Sequence, residues 1–218
     1  MTASSVTTPT DFDNLNSEES TQDGERLALL EAQERRWISA SKKGDLSAFE
    51  KLMALHEDRV FRLCFRLLTC REDALEASQD TFVRAHRALP KYQAKGRFST
   101  WLFQIAVNRC RDGWKRTSSR LASLSDAFHL SHREFVCPQP EPGDHAETRD
   151  DLFMLERGLR TLPTKHREIL MLACVENLPH AECATILKCS ERAIEGRLYR
   201  ARKLLQNWWQ RQEADPHF

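Results

Sequence analysis

Behind Ser47 the apolar residues Phe49, Leu52, Met53, Val60, Cys64, Leu67 and Leu68 return at three- and four-residue intervals, which places them on one helical face that something must cover. Ser47-x-x-Glu50 has the form of a capping box, in which hydroxyl and carboxylate satisfy orphan N–H groups at a helix start. The same periodicity runs from Glu25 to Lys42 (Leu27, Leu30, Trp37, Ile38), with Gly44 as a stop. It recurs over 71–89 (Ala74, Leu75, Ser78, Phe82, Ala85, Leu89), closed by Pro90, and from about Ser99 to Arg116 (Leu102, Ile105, Ala106, Cys110, Gly113). Only 7 Gly and 8 Pro interrupt 218 residues, which disfavours turn-rich all-β architectures. The expected fold class is all-α.

After a break the helical spacing resumes with Leu152, Leu155, Leu159 and Leu162, then Pro163 at a helix start and Ile169, Leu170, Leu172 and Ala173 as a second stripe. A short helix after Pro179, a turn before Glu191 and a longer helix with Ile194, Leu198, Ala201, Leu205 and Trp208 on one face make a helix-turn-helix. Lys188 stands where a turn glycine is more usual. The break, 117–150, holds Ser-rich and Pro/Asp/Glu-rich runs without sustained periodicity and reads as a flexible linker that, extended, reaches roughly 110 Å. Flanking modules on such a tether need not touch. The expected organisation is a disordered polar tail (1–24), a helical module (25–116), the linker (117–150), a helix-turn-helix module (151–211) and a short tail (212–218).

A net charge of +1 argues against a polyanion-binding protein only until the charges are located. Residues 91–120 carry eight basic groups against one acidic and include Tyr92, Phe98, Trp101, Phe103 and Trp114, which suits cations on phosphates and rings on bases, or equally a solvated face over core aromatics. Residues 191–218 are basic again, whereas 1–45 and 121–150 are each acidic by four. No stretch has the length of a membrane span, and the N-terminus lacks the basic and apolar blocks of a signal peptide, so a cytoplasmic location without membrane insertion is expected. The 7 cysteines are odd in number, contain no Cys-x-x-Cys and mostly take apolar positions in helical patterns, as reduced buried thiols do.

The stretches AFEKLMALHEDRVFRLCFRLL, REDALEASQDTFVRAHRAL and FSTWLFQIAVNRCRDGWKR, in that order and spacing, resemble region 2 of the bacterial sigma-70 family, in its small extracytoplasmic-function group. LRTLPTKHREILMLACVENLPHAECATILKCSERAIEGRLYRARKLL resembles region 4 of the same family. The resemblance implies a non-catalytic promoter-specificity subunit without a cofactor. Its partners would be core RNA polymerase, through the clamp helices of the largest subunit and the flap, and promoter DNA, with an anti-sigma factor as a candidate regulator. Region 4 would recognise the -35 element as duplex, and region 2 would melt the -10 element.

By that resemblance Asp73, Glu76, Gln79 and Asp80 form the polymerase-docking face, which without it reads as a solvated helix surface. Tyr92 and Asn108 would line a pocket for a flipped base, with Lys91, Gln93 and Lys95 nearby, because a melted base needs a stacking surface and hydrogen-bond groups in exchange. Tyr92 also reads as a loop aromatic capping the core, and Trp101 as core or strand contact. Arg109, Arg111, Lys115 and Arg116 are expected to hold phosphates. With Ile194, Leu198, Ala201 and Leu205 inward, Arg192, Glu195, Gly196, Tyr199, Arg200 and Lys203 are left for the -35 groove. Glu195 stands where relatives often carry Lys or Arg; its carboxylate either accepts from a cytosine amine or pairs with Arg192 or Tyr199. Arg197 and Arg202 are assigned to ion pairs. The acidic linker would suit a basic, RNA-shaped path on polymerase, or serve only as a spacer.

Two other classes were weighed. A helix-turn-helix regulator acting without polymerase leaves 25–116 unexplained. A zinc or redox site at His180-x-x-Cys183 with Cys189 has suitable ligand types, but both cysteines fall at apolar positions. No nucleophile-base pair, phosphate-cradling Gly loop or carboxylate dyad is evident, and no metal site is expected.

Overall fold

The structure is a computed structural model that describes residues 26, 28–125 and 146–214, with side chains for 26, 28–115, 154–212 and 214. The expected N-terminal tail, the middle of the expected linker with its acidic run and Cys137, and residues 215–218 lie outside the described residues. All regular elements among the described residues are helical. The chain divides into two compact units, Met1–Leu55 and His56–Phe218.

The first unit contains α1 (28–42) and the start of α2 (Leu46–Leu68). Gly44, at φ 97°, takes the left-handed turn that ends α1, with its N–H donating to the Ser41 carbonyl at 3.0 Å. The cap of α2 is not the expected Ser47-Glu50 box. Asp45, one residue before the helix, accepts from the Ala48 N–H at 3.1 Å, so the start lies two residues earlier than the pattern suggested. Ala48, Phe49 and Leu52 are buried.

The second unit continues α2 and adds α3 (Arg71–Ala88), a 3-10 turn (Leu89–Lys91), α4 (Phe98–Ser125), α5 (Ala146–Thr161), α6 (Thr164–Leu170), a π-type turn (Met171–Val175), α7 (His180–Leu187) and α8 (Glu191–Ala214). Val60, Leu63, Cys64 and Leu67 of α2, Ala74, Ala77, Phe82 and Ala85 of α3, and Leu102, Phe103, Ala106, Val107 and Cys110 of α4 are buried, and α3 packs on α4. Leu75, expected in the core stripe, is 50% exposed because Ala74 and Ala77 already occupy the inward positions beside it. A second core forms where α6 and α7 pack on α8, around Ile169, Leu172, Ile186, Ile194 and Ala201. In the π-type turn Glu176 N–H reaches back to the Met171 carbonyl at 2.9 Å, which buries Met171 and leaves Ala173, expected inward, only half-buried.

Helices enter the expected linker from both sides, since α4 runs to Ser125 and α5 starts at Ala146. The modules also touch, because α4 packs directly against α7. At the junction of α5 and α8 Gly158 is required by close approach, since a Cβ there would lie 2.7 Å from Trp208 Cε3 and 2.8 Å from Leu205 Cδ1. Gly158→Val is expected to lower unfolding free energy by about 1–3 kcal/mol through overpacking, read as a lowered denaturation midpoint with unchanged slope.

Candidate nucleic-acid interface

The helix-turn-helix is built on the α7–α8 corner. Lys188, at φ 52° and ψ 54°, adopts the left-handed conformation that ends α7, and Ser190 Oγ caps α8 by accepting from the Ala193 N–H at 3.3 Å. Ile194, Leu198 and Ala201 are buried and Leu205 is half-buried, so the register of α8 follows the expected inward stripe. Arg192, Glu195, Tyr199, Arg200 and Lys203 are therefore exposed along one face, Tyr199 to 68%. Gly196 lies beneath Arg200: the Arg200 Nη2 stands 3.6 Å from where a Cβ would be. Glu195 pairs with neither Arg192 nor Tyr199; its nearest charged neighbour is His180 Nδ1 at 4.0 Å.

The candidate -10 face lies in the 91–97 loop and on α4. Lys91, Gln93 and Lys95 are exposed around Tyr92, but Tyr92 itself is 7% exposed. Its hydroxyl donates to the Gly96 carbonyl at 3.3 Å, and its ring sits 4.7 Å from Trp101 and 5.6 Å, edge-on, from Phe98. In this structure Tyr92 caps the core, the other of its two sequence readings, and Trp101 is its half-buried neighbour. Asn108 is half-buried and Lys115 exposed; the Arg116 side chain lies outside the described residues.

Two expected phosphate-holding arginines are engaged elsewhere. Arg109 is 4% exposed and ion-paired with Glu76 at 2.8 Å and Asp80 at 2.5 Å, so α4 uses it to grip α3 rather than to face solvent. Arg111 forms a bidentate pair with Glu168 of α6, both contacts at 2.6 Å, and hydrogen bonding to that carboxylate raises the Arg111 pKa above its ordinary value.

On α3, Asp73 and Gln79 are exposed, whereas Glu76 and Asp80 turn toward Arg109, with Arg84 also 3.0 Å from Asp80. Leu75 and Val83, 50% and 47% exposed, flank Gln79 at four-residue spacing and add an apolar component that the charge pattern did not reveal. Arg167 was also missed: its guanidinium donates to the Leu159 and Arg160 carbonyls at 3.0 and 2.7 Å and to the Leu67 carbonyl at 3.1 Å, closing the ends of α5 and α2 together. Nothing in a run such as KHREIL marks one arginine as a two-helix cap.

The thiols behave as core groups. Cys183 is 0% exposed and burial pushes its pKa up to about 11; Cys110 is raised by its hydrogen bond with Cys64 and by burial. Among the described residues no group of three or more His, Cys, Asp or Glu is arranged to hold a metal ion. No helix among them is long and apolar enough to cross a membrane.

A family model for Sigma-70 region 2 matches residues 52–120, and one for Sigma-70, region 4 matches 152–205. The RNA polymerase sigma factor NccH of Alcaligenes xylosoxydans xylosoxydans is 30% identical over 163 residues, covering 75% of this chain and 87% of the relative. The chain belongs to the sigma-70 family, in its extracytoplasmic-function group. This sigma factor is also 25% identical over 181 residues to the ECF RNA polymerase sigma factor SigW of Bacillus subtilis, covering 81% of this chain and 97% of the relative. A solved structure of CnrH in complex with the cytosolic domain of CnrY superposes with a TM-score of 0.61 and 26% identity, over 84% of this chain and 99% of that one.

Two measurable consequences follow from the corner that carries α8. Lys188→Gly relieves a left-handed non-glycine at some cost in unfolded-chain entropy, and is expected to raise stability by roughly 0.5–1 kcal/mol in thermal unfolding. His166 of α6 has its pKa lowered by burial and by Arg200 and Arg197 of α8. A base with a depressed folded pKa contributes stability present above its unfolded value near 6.5 and lost as pH falls below it. The unfolding temperature should therefore fall between pH 7 and 5.5 more steeply in the wild type than in His166→Gln.

Proposed function

We propose that this sigma factor joins core RNA polymerase in the cytoplasm and directs promoter-specific initiation without catalysing a reaction itself. The observation that carries the reading is the exposed stripe of Arg192, Glu195, Gly196, Tyr199, Arg200 and Lys203 on a capped α8 whose opposite side is buried, in a chain that also matches region 2. That stripe enters the major groove at the -35 element, with Arg200 on a guanine or phosphate and Tyr199 against a thymine methyl or sugar. Glu195, paired with no arginine, is available to accept from a cytosine amine.

The 91–97 loop and α4 act on the -10 element. Lys91, Gln93, Lys95 and Lys115 already face solvent, while Tyr92 and Arg111 become available to a flipped base and to phosphate when their present contacts exchange. Arg109 serves as a brace that positions Glu76 and Asp80. The α3 face of Asp73, Gln79, Leu75 and Val83 docks on the polymerase clamp helices, a mixed polar and apolar surface suited to a specific protein partner. Region 4 engages the flap. CnrH is solved with the cytosolic domain of CnrY, and an anti-sigma factor is the corresponding regulator here.

The test is run-off transcription with purified chain and sigma-free core polymerase on a template carrying the promoter of its own operon. A specific transcript is expected only when both are present, and Tyr199→Ala or Arg200→Ala should lower its yield about 10-fold with core binding intact, as loss of one good base or phosphate contact does. Sequence-specific duplex binding without any core-dependent transcript would instead mark a regulator that acts alone.

A further inference from the structure

The face of α4 assigned to the -10 element is covered by the helix-turn-helix module. Arg97 Nη1 lies 3.8 Å from Glu182, Thr100 donates its hydroxyl proton to Glu182, Gln104 Nε2 donates to the Thr185 carbonyl at 2.8 Å, and Arg111 takes Glu168 in both arms. Positions 97, 100, 104 and 111 recur at helical spacing, directly beside Trp101, Asn108 and Lys115. On α2, Arg59 and Arg66 approach Glu176 at 3.1 and 3.7 Å. Three carboxylates from one short stretch, Glu168, Glu176 and Glu182, thus meet four arginines of the other module. The first two are almost completely withdrawn from water, at 1% and 7% side-chain exposure.

Planar guanidinium groups hold carboxylates and phosphates with the same forked geometry. We propose that Glu168, Glu176 and Glu182 act as a built-in stand-in for the nucleic-acid backbone, latching the helix-turn-helix module over the basic face of α2 and α4 and keeping the free chain from binding single-stranded DNA. The inference rests on the reading of α4 as the -10 face. The latch is exchangeable: each arginine that leaves a glutamate regains an equivalent partner from a phosphate, whereas an apolar interface would expose its surface to water on opening. An intact latch also puts Arg111 and Gln104 out of reach while leaving Arg192, Tyr199, Arg200 and Lys203 open.

The experiment compares the full chain with a Glu168→Gln/Glu176→Gln/Glu182→Gln variant in two measurements: radius of gyration by small-angle scattering, and anisotropy of a labelled mixed-sequence single-stranded 20-mer across a salt series. The expected results are a larger radius and at least 10-fold tighter binding for the variant, with a steeper salt dependence as more phosphates are engaged. Glu182→Gln alone, at the rim with 21% of its side chain exposed, guards against misfolding of the triple variant and is expected to shift binding in the same direction by about 3-fold. Arg111→Glu combined with Glu168→Arg should return the radius toward the wild-type value. An unchanged radius in both glutamine variants would overturn the latch, and a larger radius with unchanged DNA binding would overturn the masking. Core-dependent run-off by the wild type is read separately: its absence would sink the -10 reading while the scattering result still judges the latch.

Discussion

The arrangement of the second unit depends on a carboxylate that water does not reach. Glu168 is 1% exposed, and an isolated charge so placed would cost several kcal/mol; the bidentate grip of Arg111 is what makes it tolerable. Because Glu168 sits on α6 and α6 packs on α8, this one pair sets where the -35 helix stands relative to α4. The next residue, Arg167, adds a cap shared by α2 and α5. Removing either partner of the buried pair would leave a charge with no compensation, so the two residues act as a unit rather than as two contributions.

The two candidate DNA faces differ in readiness. On α8 the apolar stripe is buried by α6 and α7 and the polar stripe has nothing over it, so Tyr199 and its neighbours stand exposed. On α4 the same amphipathic logic is complicated by a second partner: one side packs on α3, through Arg109 and the alanines of α3, and another meets α7. A helix with two partners has few side chains left for a third, which is why Arg111 and Gln104 are engaged while Lys115 is exposed.

Helical periodicity was enough to read most of the elements, since a stripe at three- and four-residue spacing has one economical conformation. Ile194, Leu198 and Ala201 were placed inward from spacing alone, and the exposed stripe of α8 followed by elimination. Spacing fails where competing local chemistry decides. Asp45 displaced the expected cap at Ser47 because its carboxylate is already in reach of the Ala48 N–H. Leu75 went outward because neighbouring alanines let α4 approach on the other side. Charge counting located the basic surface of 91–116 correctly, but it could not separate Arg109, which braces α3, from Lys115, which faces solvent, because a formal charge carries no information about its partner.

By itself, the sequence determined the helical class, the helix-turn-helix, the segregation of basic charge and, through the ordered motif blocks, the sigma-70 resemblance. All of these are properties of residues close together in the chain, where backbone geometry converts spacing directly into a face. Tertiary structure alone decided that Tyr92 lies under an aromatic cluster, that Arg109 and Arg111 are paired to carboxylates, and that α4 and α7 touch. Those pairings join residues 29 to 82 positions apart in the sequence, from Asp80–Arg109 to Thr100–Glu182, and which acid meets which base across such a gap is settled only when the cores have packed.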